Sequence, residues 1–410
     1  MDSYRKFIPV ILGTMPLLTS ILVQRRIEKF AKDKGTHHAL SNDMIEIYEL
    51  EISCYPEFVI HRDEVGTAFE GANHVPDVMV IGLVSAYDAF LARLLRAIID
   101  RHQEVVFTSE KSIKLSELAS FASIDEARNM LIEREIETVI RLSHHEQFDW
   151  MEKRFAIKLR QGLTVWPKFV EICERRNLFT HTGGVVSKQY AETCKEHKCE
   201  IKGVEVGTKL SVDPTYFRNA VRVIYEIGAK LCHVFWRKFA PDEREEADRC
   251  LNKLGYDLIY ARTYDIAESL LLFGTDVLKT HASDSVRRMM VVNLANALRL
   301  QERKEEANKI LDKEDWSSCS NEFKVCVAGV KEDVETVVRL MKQIGVEGSP
   351  SKEGYRTWPV FRGMRTKEQF MKTFEDLFKE SVIAPSLEGM SVTEEATDTG
   401  VLEKEVPTRH

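Results

Sequence analysis

The sequence has no cysteine framework. Its eight cysteines are scattered along 410 residues, and no two of them form a CxxC pair. This usage is typical of unpaired thiols in a reducing cytoplasm, so we expect a cytoplasmic location. Cys194 and Cys199 flank His197, but zinc knuckles usually occur in pairs and this chain has no second one. We therefore expect no metal and no other cofactor.

The sequence also lacks the short motifs of several large enzyme classes. It contains no GxSxG, no GxxxxGK[ST] phosphate loop, no GxGxxG and no HExxH, which leaves those classes without support. Hydrophobic residues make up 44% of the chain and charged residues 30%, as in a soluble globular protein. A chain of this length exceeds one ordinary core, so we expect more than one unit.

No long uninterrupted hydrophobic run occurs at the N-terminus. The apolar stretch 8–23 follows two bases as in a signal peptide, but prolines interrupt it and a small-residue cleavage site is absent. It is also short for a membrane span, which needs about 20 residues. We expect a buried or partner-facing helix and no membrane binding, with membrane contact as the alternative.

Positive charge is scarce over the whole chain, whose formal net charge is −7. Such a balance is not typical of a nucleic-acid-binding protein taken as a whole. The charge is uneven, however: residues 41–78 are strongly acidic, whereas bases outnumber acids in residues 151–190. The basic region is either a surface for nucleic acid or the ordinary charged face of surface helices.

We predict a mainly α fold in four regions. Residues 1–75 form an N-terminal helical and acidic region, in which residues 1–40 are one helix. Residues 76–240 form a helical bundle, residues 241–381 a helical, solenoid-like domain, and residues 382–410 a disordered tail rich in Ser, Thr and Glu.

Three local patterns predict the bundle. A helix with Pro76 near its start carries apolar residues at three-and-four spacing over 80–98. Asp213 and Pro214 are typical of an N-cap and a first helical residue, and they begin a long helix. Residues 199–212, rich in Gly, Val and Lys, predict a small β-hairpin inserted between helices.

The C-terminal domain contains a segment typical of paired helices. Residues 291–311 have small side chains at Ala295, Ala297 and Ala307 and a polar turn over residues 301–304. This pattern resembles a tetratricopeptide-type helical pair, although a plain helical bundle would look similar.

The most informative stretch is Glu174–Gly184, in which Arg176 and Asn177 are followed by His181 and then by two glycines. Arginine offers a fixed cation for phosphate, and histidine moves protons near neutral pH. Five helical residues turn about 500°, which leaves the arginine and the histidine roughly 140° apart. The pair would share a face only if the helix breaks before His181, which the glycines permit.

Two other stretches carry histidines near arginines or at helix ends. Arg96 and His102 have a similar spacing but no glycine stop, so we interpret them as a helix surface. His144 and His145 are interpreted as a helix terminus, which is more common than a ligand pair.

The segment Arg176-Asn177-Leu-Phe-Thr-His181 resembles the signature of the HEPN superfamily: Arg, usually a polar residue, then His four to six positions from the Arg. The resemblance covers about residues 76–240 and implies a HEPN-like helical bundle. Many members are metal-independent ribonucleases, often bacterial toxins or anti-phage effectors. Others have lost activity and only bind, so the alternative function is an inactive interaction or sensor protein.

The resemblance and the chemistry of RNA cleavage suggest a role for each residue. His181 would move protons, Arg176 would stabilise the phosphate, and Asn177 would hold the histidine tautomer or a substrate oxygen. Three further bases are predicted to bind the substrate RNA: Arg160, Lys168 and Arg175. The alternative is a purely structural role, in which the Arg–His pair only caps carbonyls and pairs with Glu171 or Glu174.

One histidine per chain cannot easily be both acid and base. A two-fold homodimer would bring two Arg–His pairs into one cleft, and the resemblance implies the same arrangement. Candidates for its apolar surface are Trp166, Phe179 and Tyr190. Residues 241–381 would then bind a regulatory protein.

Overall fold

The computed structural model describes residues 25–40, 46–102, 114–118 and 120–382. Within these residues the chain is mainly helical, as the sequence predicts, and residues 25–34 are helical. The predictions for the apolar run 8–23 and for the tail 383–410 lie outside the described residues.

The elements follow one another in chain order. They are β1 (Gly35–Leu40), β2 (Glu46–Leu50), α1 (Tyr55–Arg101), α2 (Leu115–Leu118), α3 (Ile124–Ile140), α4 (His144–Phe155), α5 (Trp166–His181), α6 (Lys188–Glu196), α7 (Pro214–Phe239), α8 (Arg244–Tyr260), α9 (Tyr264–Leu272), α10 (Asp284–Arg299), α11 (Lys304–Leu311), α12 (Asn321–Val330), α13 (Val334–Ile344), α14 (Lys352–Thr357) and α15 (Glu368–Phe378).

The two-stranded sheet lies in the N-terminal part of the described chain. Strands β1 and β2 are antiparallel, with Gly35 opposite Leu50. The prediction of one helix over residues 1–40 is therefore wrong for residues 35–40. A Cβ at position 35 would lie 2.6 Å from the carbonyl oxygen of Ala31, so glycine suits the close turn from helix to strand.

The predicted β-hairpin over residues 199–212 is wrong. This segment consists of turns and extended residues, and its sheet-like pairing is the isolated bridge from Val185 to Lys209. Gly203 and Gly207 have φ angles of 72° and 92°. Both glycines lie in turns, and two turns only four residues apart leave no room between them for the regular strands of a hairpin.

Helix α1 has 47 residues and contains Pro76 in its interior, so the prediction that this proline lies near the start of the helix is wrong. An internal proline removes one backbone hydrogen bond and costs about 3 kcal/mol. The helix extends ahead of this proline, where Phe58 packs on the buried ring of Phe30, and behind it, where Val80 and Leu83 are completely buried.

Among the described residues, the helical stretch Ile52–Arg101 is long and apolar enough to cross a membrane by length and composition. Of its most apolar window, 33% is buried inside the protein. Core helices of other proteins meet the same criterion, and the expectation of no membrane binding stays a prediction.

The main hydrophobic core is formed by α1, α3, α4, α5 and α7. Helix α7 begins as predicted, since the Asp213 side chain accepts a hydrogen bond from the backbone N–H of Tyr216. Phe217 and Phe235 of α7 are completely buried. Burial of such a side chain contributes roughly 1.5–3 kcal/mol, which is enough to fix the helices around the site described below.

The described chain belongs to two compact units, divided between Met290 and Val291. The predicted boundaries differ from this division. Helix α1 passes position 75 without interruption, and α8 and α9 pack on α7 within the first unit. The four predicted regions therefore stay predictions.

The second unit contains the helical pair predicted over residues 291–311. Residues up to Arg299 are helical, a turn follows, and α11 begins at Lys304. Ala295 and Ala307 are buried, as close helix packing requires. The pair is present, whereas its assignment to tetratricopeptide-type repeats stays a prediction.

Candidate functional site

An open pocket of about 610 Å³ lies beside the predicted motif. Its wall is formed by α1, the junction of α3 with α4, α5, and the start of α6. Arg176, Asn177 and His181, the three residues predicted to be catalytic, all line it. Its volume is within the range of small-molecule and nucleotide sites.

Helix α5 carries the motif and ends later than predicted. It runs through His181, with Thr182 as its C-cap, so the predicted break before His181 is wrong. Arg176 and His181 nevertheless line the same pocket. A long arginine side chain leaves the helix on a neighbouring face and can still reach a wall shared with the histidine.

Arg176 is held by a carboxylate from α1. Its Nη2 donates to Asp88 Oδ2 at 3.3 Å, and the other oxygen, Oδ1, lies 2.9 Å from His144 Nε2. A carboxylate accepts, so this imidazole nitrogen carries a proton. The 3.5 Å contact between Arg176 Nη2 and His144 Nε2 then joins two donors, and only Asp88 binds both groups.

His144 is a residue of the pocket that the sequence analysis missed. It is the first residue of α4, which Ser143 and Glu146 cap as a capping box. A helix terminus is present as expected, but it is the start of α4 and not the end of the preceding helical run. The imidazole is only 4% exposed and lies against the ring of Phe169. The Ser-x-x-Glu pattern marks the helix start, but no sequence signal showed that this end faces α5.

Glu174 and Asn177 extend the same wall of the pocket. Asn177 Nδ2 donates to Glu174 Oε1 at 3.4 Å. Within the described residues, the amide therefore contacts this carboxylate rather than the imidazole of His181. Glu174 is 5% exposed. Burial raises the pKa of its carboxyl group above the ordinary value.

Arg175 lies outside the pocket, in a buried cluster around Glu171. Its Nε donates to Glu171 Oε1 at 2.7 Å, and its guanidinium lies 4.0 Å from the ring centre of Tyr216. The hydroxyls of Tyr190 and Tyr216 each donate to Glu171 at 2.8 Å. Arg175, which was predicted to bind substrate, therefore binds residues within the protein.

The other two predicted RNA-binding bases are also outside the pocket lining. Arg160 Nη2 is 2.6 Å from Asp149 Oδ1, and its guanidinium lies over the ring of Trp166. Lys168 is exposed. Arg141, at the end of α3, is a base that does line the pocket, and its side chain is 81% exposed.

The Arg96 and His102 pair has the packing role expected of a helix surface. Arg96 Nε donates to Asp100 Oδ1 at 2.9 Å. His102 Nε2 donates to the backbone carbonyl of Phe239 at 2.7 Å.

The residues proposed for an apolar dimer surface are wholly or partly buried within the chain. Tyr190 is 1% exposed, so its assignment to a dimer surface is wrong. Trp166 and Phe179 are partly buried against the main core. Burial against neighbouring helices stabilises each of these rings. The sequence did not show which helices would be the neighbours.

Within the described residues no group of three or more His, Cys, Asp and Glu side chains has the arrangement of a metal site. No family model, curated protein or solved structure matches this chain.

Proposed function

We propose that the protein is a metal-independent endoribonuclease of the HEPN type. The observation that carries this proposal is the pocket that Arg176, Asn177 and His181 share, with Arg176 anchored by Asp88. An open site with a fixed guanidinium and an exposed imidazole suits phosphate chemistry.

RNA cleavage by the 2′-hydroxyl requires three contributions. A base removes the hydroxyl proton, an acid protonates the leaving 5′-oxygen, and a cation stabilises the charge on the phosphorane. Arg176 supplies the cation, and His181 supplies one of the two proton transfers. The products are a 2′,3′-cyclic phosphate and a free 5′-hydroxyl.

The biological setting belongs to the same proposal. The enzyme acts in the cytoplasm as a homodimer, as a toxin or anti-phage effector, and residues 241–381 bind a regulatory protein. Toxicity on overexpression, compared between the wild type and His181→Ala, tests this setting: equal toxicity contradicts it.

Purified protein incubated with tRNA and total RNA in EDTA tests the activity. We expect cyclic-phosphate ends from the wild type and a rate about 10²- to 10⁴-fold lower for His181→Ala and Arg176→Ala. His74 and Arg249 are exposed and outside the pocket lining, so His74→Ala and Arg249→Ala are matched controls that keep activity.

Cleavage that persists in both motif variants would remove the nuclease proposal. A wild type that binds RNA without cutting it would support the inactive binding protein instead.

A further inference from the structure

Three pocket residues lie on one side of α5. Glu174, Asn177 and His181 are spaced at i, i+3 and i+7, which places them on one helical face, and all three line the pocket. Seven residues rise about 10 Å along the axis. Glu174 and His181 therefore stand at opposite ends of this wall, with Arg176 between them in sequence.

Glu174 differs from the other buried carboxylate of this helix. Glu171 is bound by Arg175 and two tyrosine hydroxyls. Glu174 forms no salt bridge within the described part of the chain, and its contact there is the long hydrogen bond from Asn177. Buried carboxylates are normally paired. One that faces a pocket without a paired cation is therefore a functional candidate.

The titratable and charged groups around Glu174 come from its own helix and from three neighbouring segments. They are His144 and His145 on α4, Arg176 on α5, Cys199 after α6, and Asp88 on α1 through its contact with Arg176. Burial raises the pKa of the Glu174 carboxyl group, while the two histidines and Arg176 act in the opposite direction. A raised pKa makes its carboxylate a stronger base near neutral pH.

We propose that Glu174 is the general base of the pocket and His181 its general acid, so that one chain holds both proton-transfer groups. This inference rests on the proposed ribonuclease function. The dimer then has no need to supply a second proton-transfer group.

The reaction balances with these two groups. Glu174 takes the proton of the 2′-hydroxyl while that oxygen forms a bond to phosphorus. The bond from phosphorus to the 5′-oxygen breaks, and protonated His181 gives its proton to this oxygen. Solvent then returns a proton from Glu174 to His181. Arg176 stabilises the phosphorane between them.

The pH profile of kcat/KM tests the proposal. The base must be deprotonated, so wild-type activity falls as the pH drops through the pKa of Glu174, which burial raises. Glu174→Gln should lower the rate about 10²- to 10⁴-fold and remove the acid limb. Glu174→Asp should keep that limb and move its position.

Glu192 is exposed on α6 and outside the pocket lining, so Glu192→Gln is the matched control with an unchanged profile. A wild type that cuts no RNA contradicts the proposed function itself. An active wild type with the same acid limb and rate in Glu174→Gln overturns the role of Glu174. If Glu174→Gln does not fold, an acid limb that does not move in Glu174→Asp overturns it as well.

Discussion

Asp88 determines where the side chain of Arg176 points. Its two carboxylate oxygens contact different partners, Arg176 and His144, from a position that is 19% exposed. Hydrogen bonds between charged groups contribute about 1.5–3 kcal/mol. In a partly buried site they also restrict the rotamers of an otherwise flexible arginine. We therefore regard Asp88 as a positioning residue.

Asp88→Asn should reduce kcat about tenfold and leave KM nearly unchanged, because Arg176 stays present but loses its orienting charge. The measurement is steady-state RNA cleavage, with urea unfolding to check the fold. Asp149→Asn, which removes a carboxylate near Arg160 outside the pocket lining, serves as the control. A kcat equal to that of the wild type would show that Arg176 is oriented without Asp88.

At this scale the sequence identified some residues and missed others for a physical reason. Arg176, Asn177 and His181 were identified because they are close in sequence on one helix. Asp88 and His144 belong to other helices. Their side chains reach the arginine only after the bundle has formed, so no local spacing could indicate them.

The end of α5 is formed by two glycines with positive φ angles, 60° at Gly183 and 86° at Gly184. The backbone N–H groups of Thr182 and Gly184 both donate to the carbonyl of Leu178. This arrangement satisfies the free carbonyl at the helix terminus and turns the chain toward α6, whose Tyr190 is buried.

The two glycines should respond differently to alanine. At Gly183 a Cβ would meet no atom within 4 Å, whereas at Gly184 it would lie 2.9 Å from the Leu210 carbonyl oxygen and 3.2 Å from the Phe179 ring. Gly183→Ala should cost about 1–2 kcal/mol through its φ angle alone. Gly184→Ala should cost about 1 kcal/mol more because of the clash. Urea unfolding measures both, and equal losses would contradict the close approach.

Secondary-structure elements were predictable where periodicity was strong. The apolar stripe of α1 and the capped start of α7 are confirmed. The start of α1 and the segment 199–212 were predicted incorrectly, because a single proline was taken as a boundary and a Gly-Val pattern as a hairpin. At Pro76 tertiary packing outweighed the local preference, whereas in 199–212 two closely spaced turns replaced the expected strands.

Over the whole molecule, charge bears on how the proposed ribonuclease would bind RNA. The net charge is −7, so long-range attraction to a polyanion is weak. Within the pocket lining, the arginines are Arg141 and Arg176. An acidic protein with these two arginines in its pocket should contact few phosphates.

The salt dependence of RNA binding tests this expectation. For single strands the slope of log K against log salt is about −0.7 per phosphate contact, so two contacts predict about −1.4. Arg141→Ala should make the slope less steep by about 0.7, and Lys168→Ala, outside the pocket lining, should leave it unchanged. Fluorescence anisotropy with a non-cleavable 2′-deoxy analogue measures both. A much steeper slope that Lys168→Ala reduces would instead indicate the extended basic surface.

The sequence by itself determined the helical class, the apolar faces of α1 and α7, and the Arg–Asn–His segment, because each depends on residues near one another in the chain. Tertiary structure alone decided which charges are available. In the folded protein Arg175 pairs with Glu171 and Arg176 is anchored on Asp88. Glu174 has no salt bridge in the described chain. These choices depend on which helices pack together, and burial then sets the free energy of each charge.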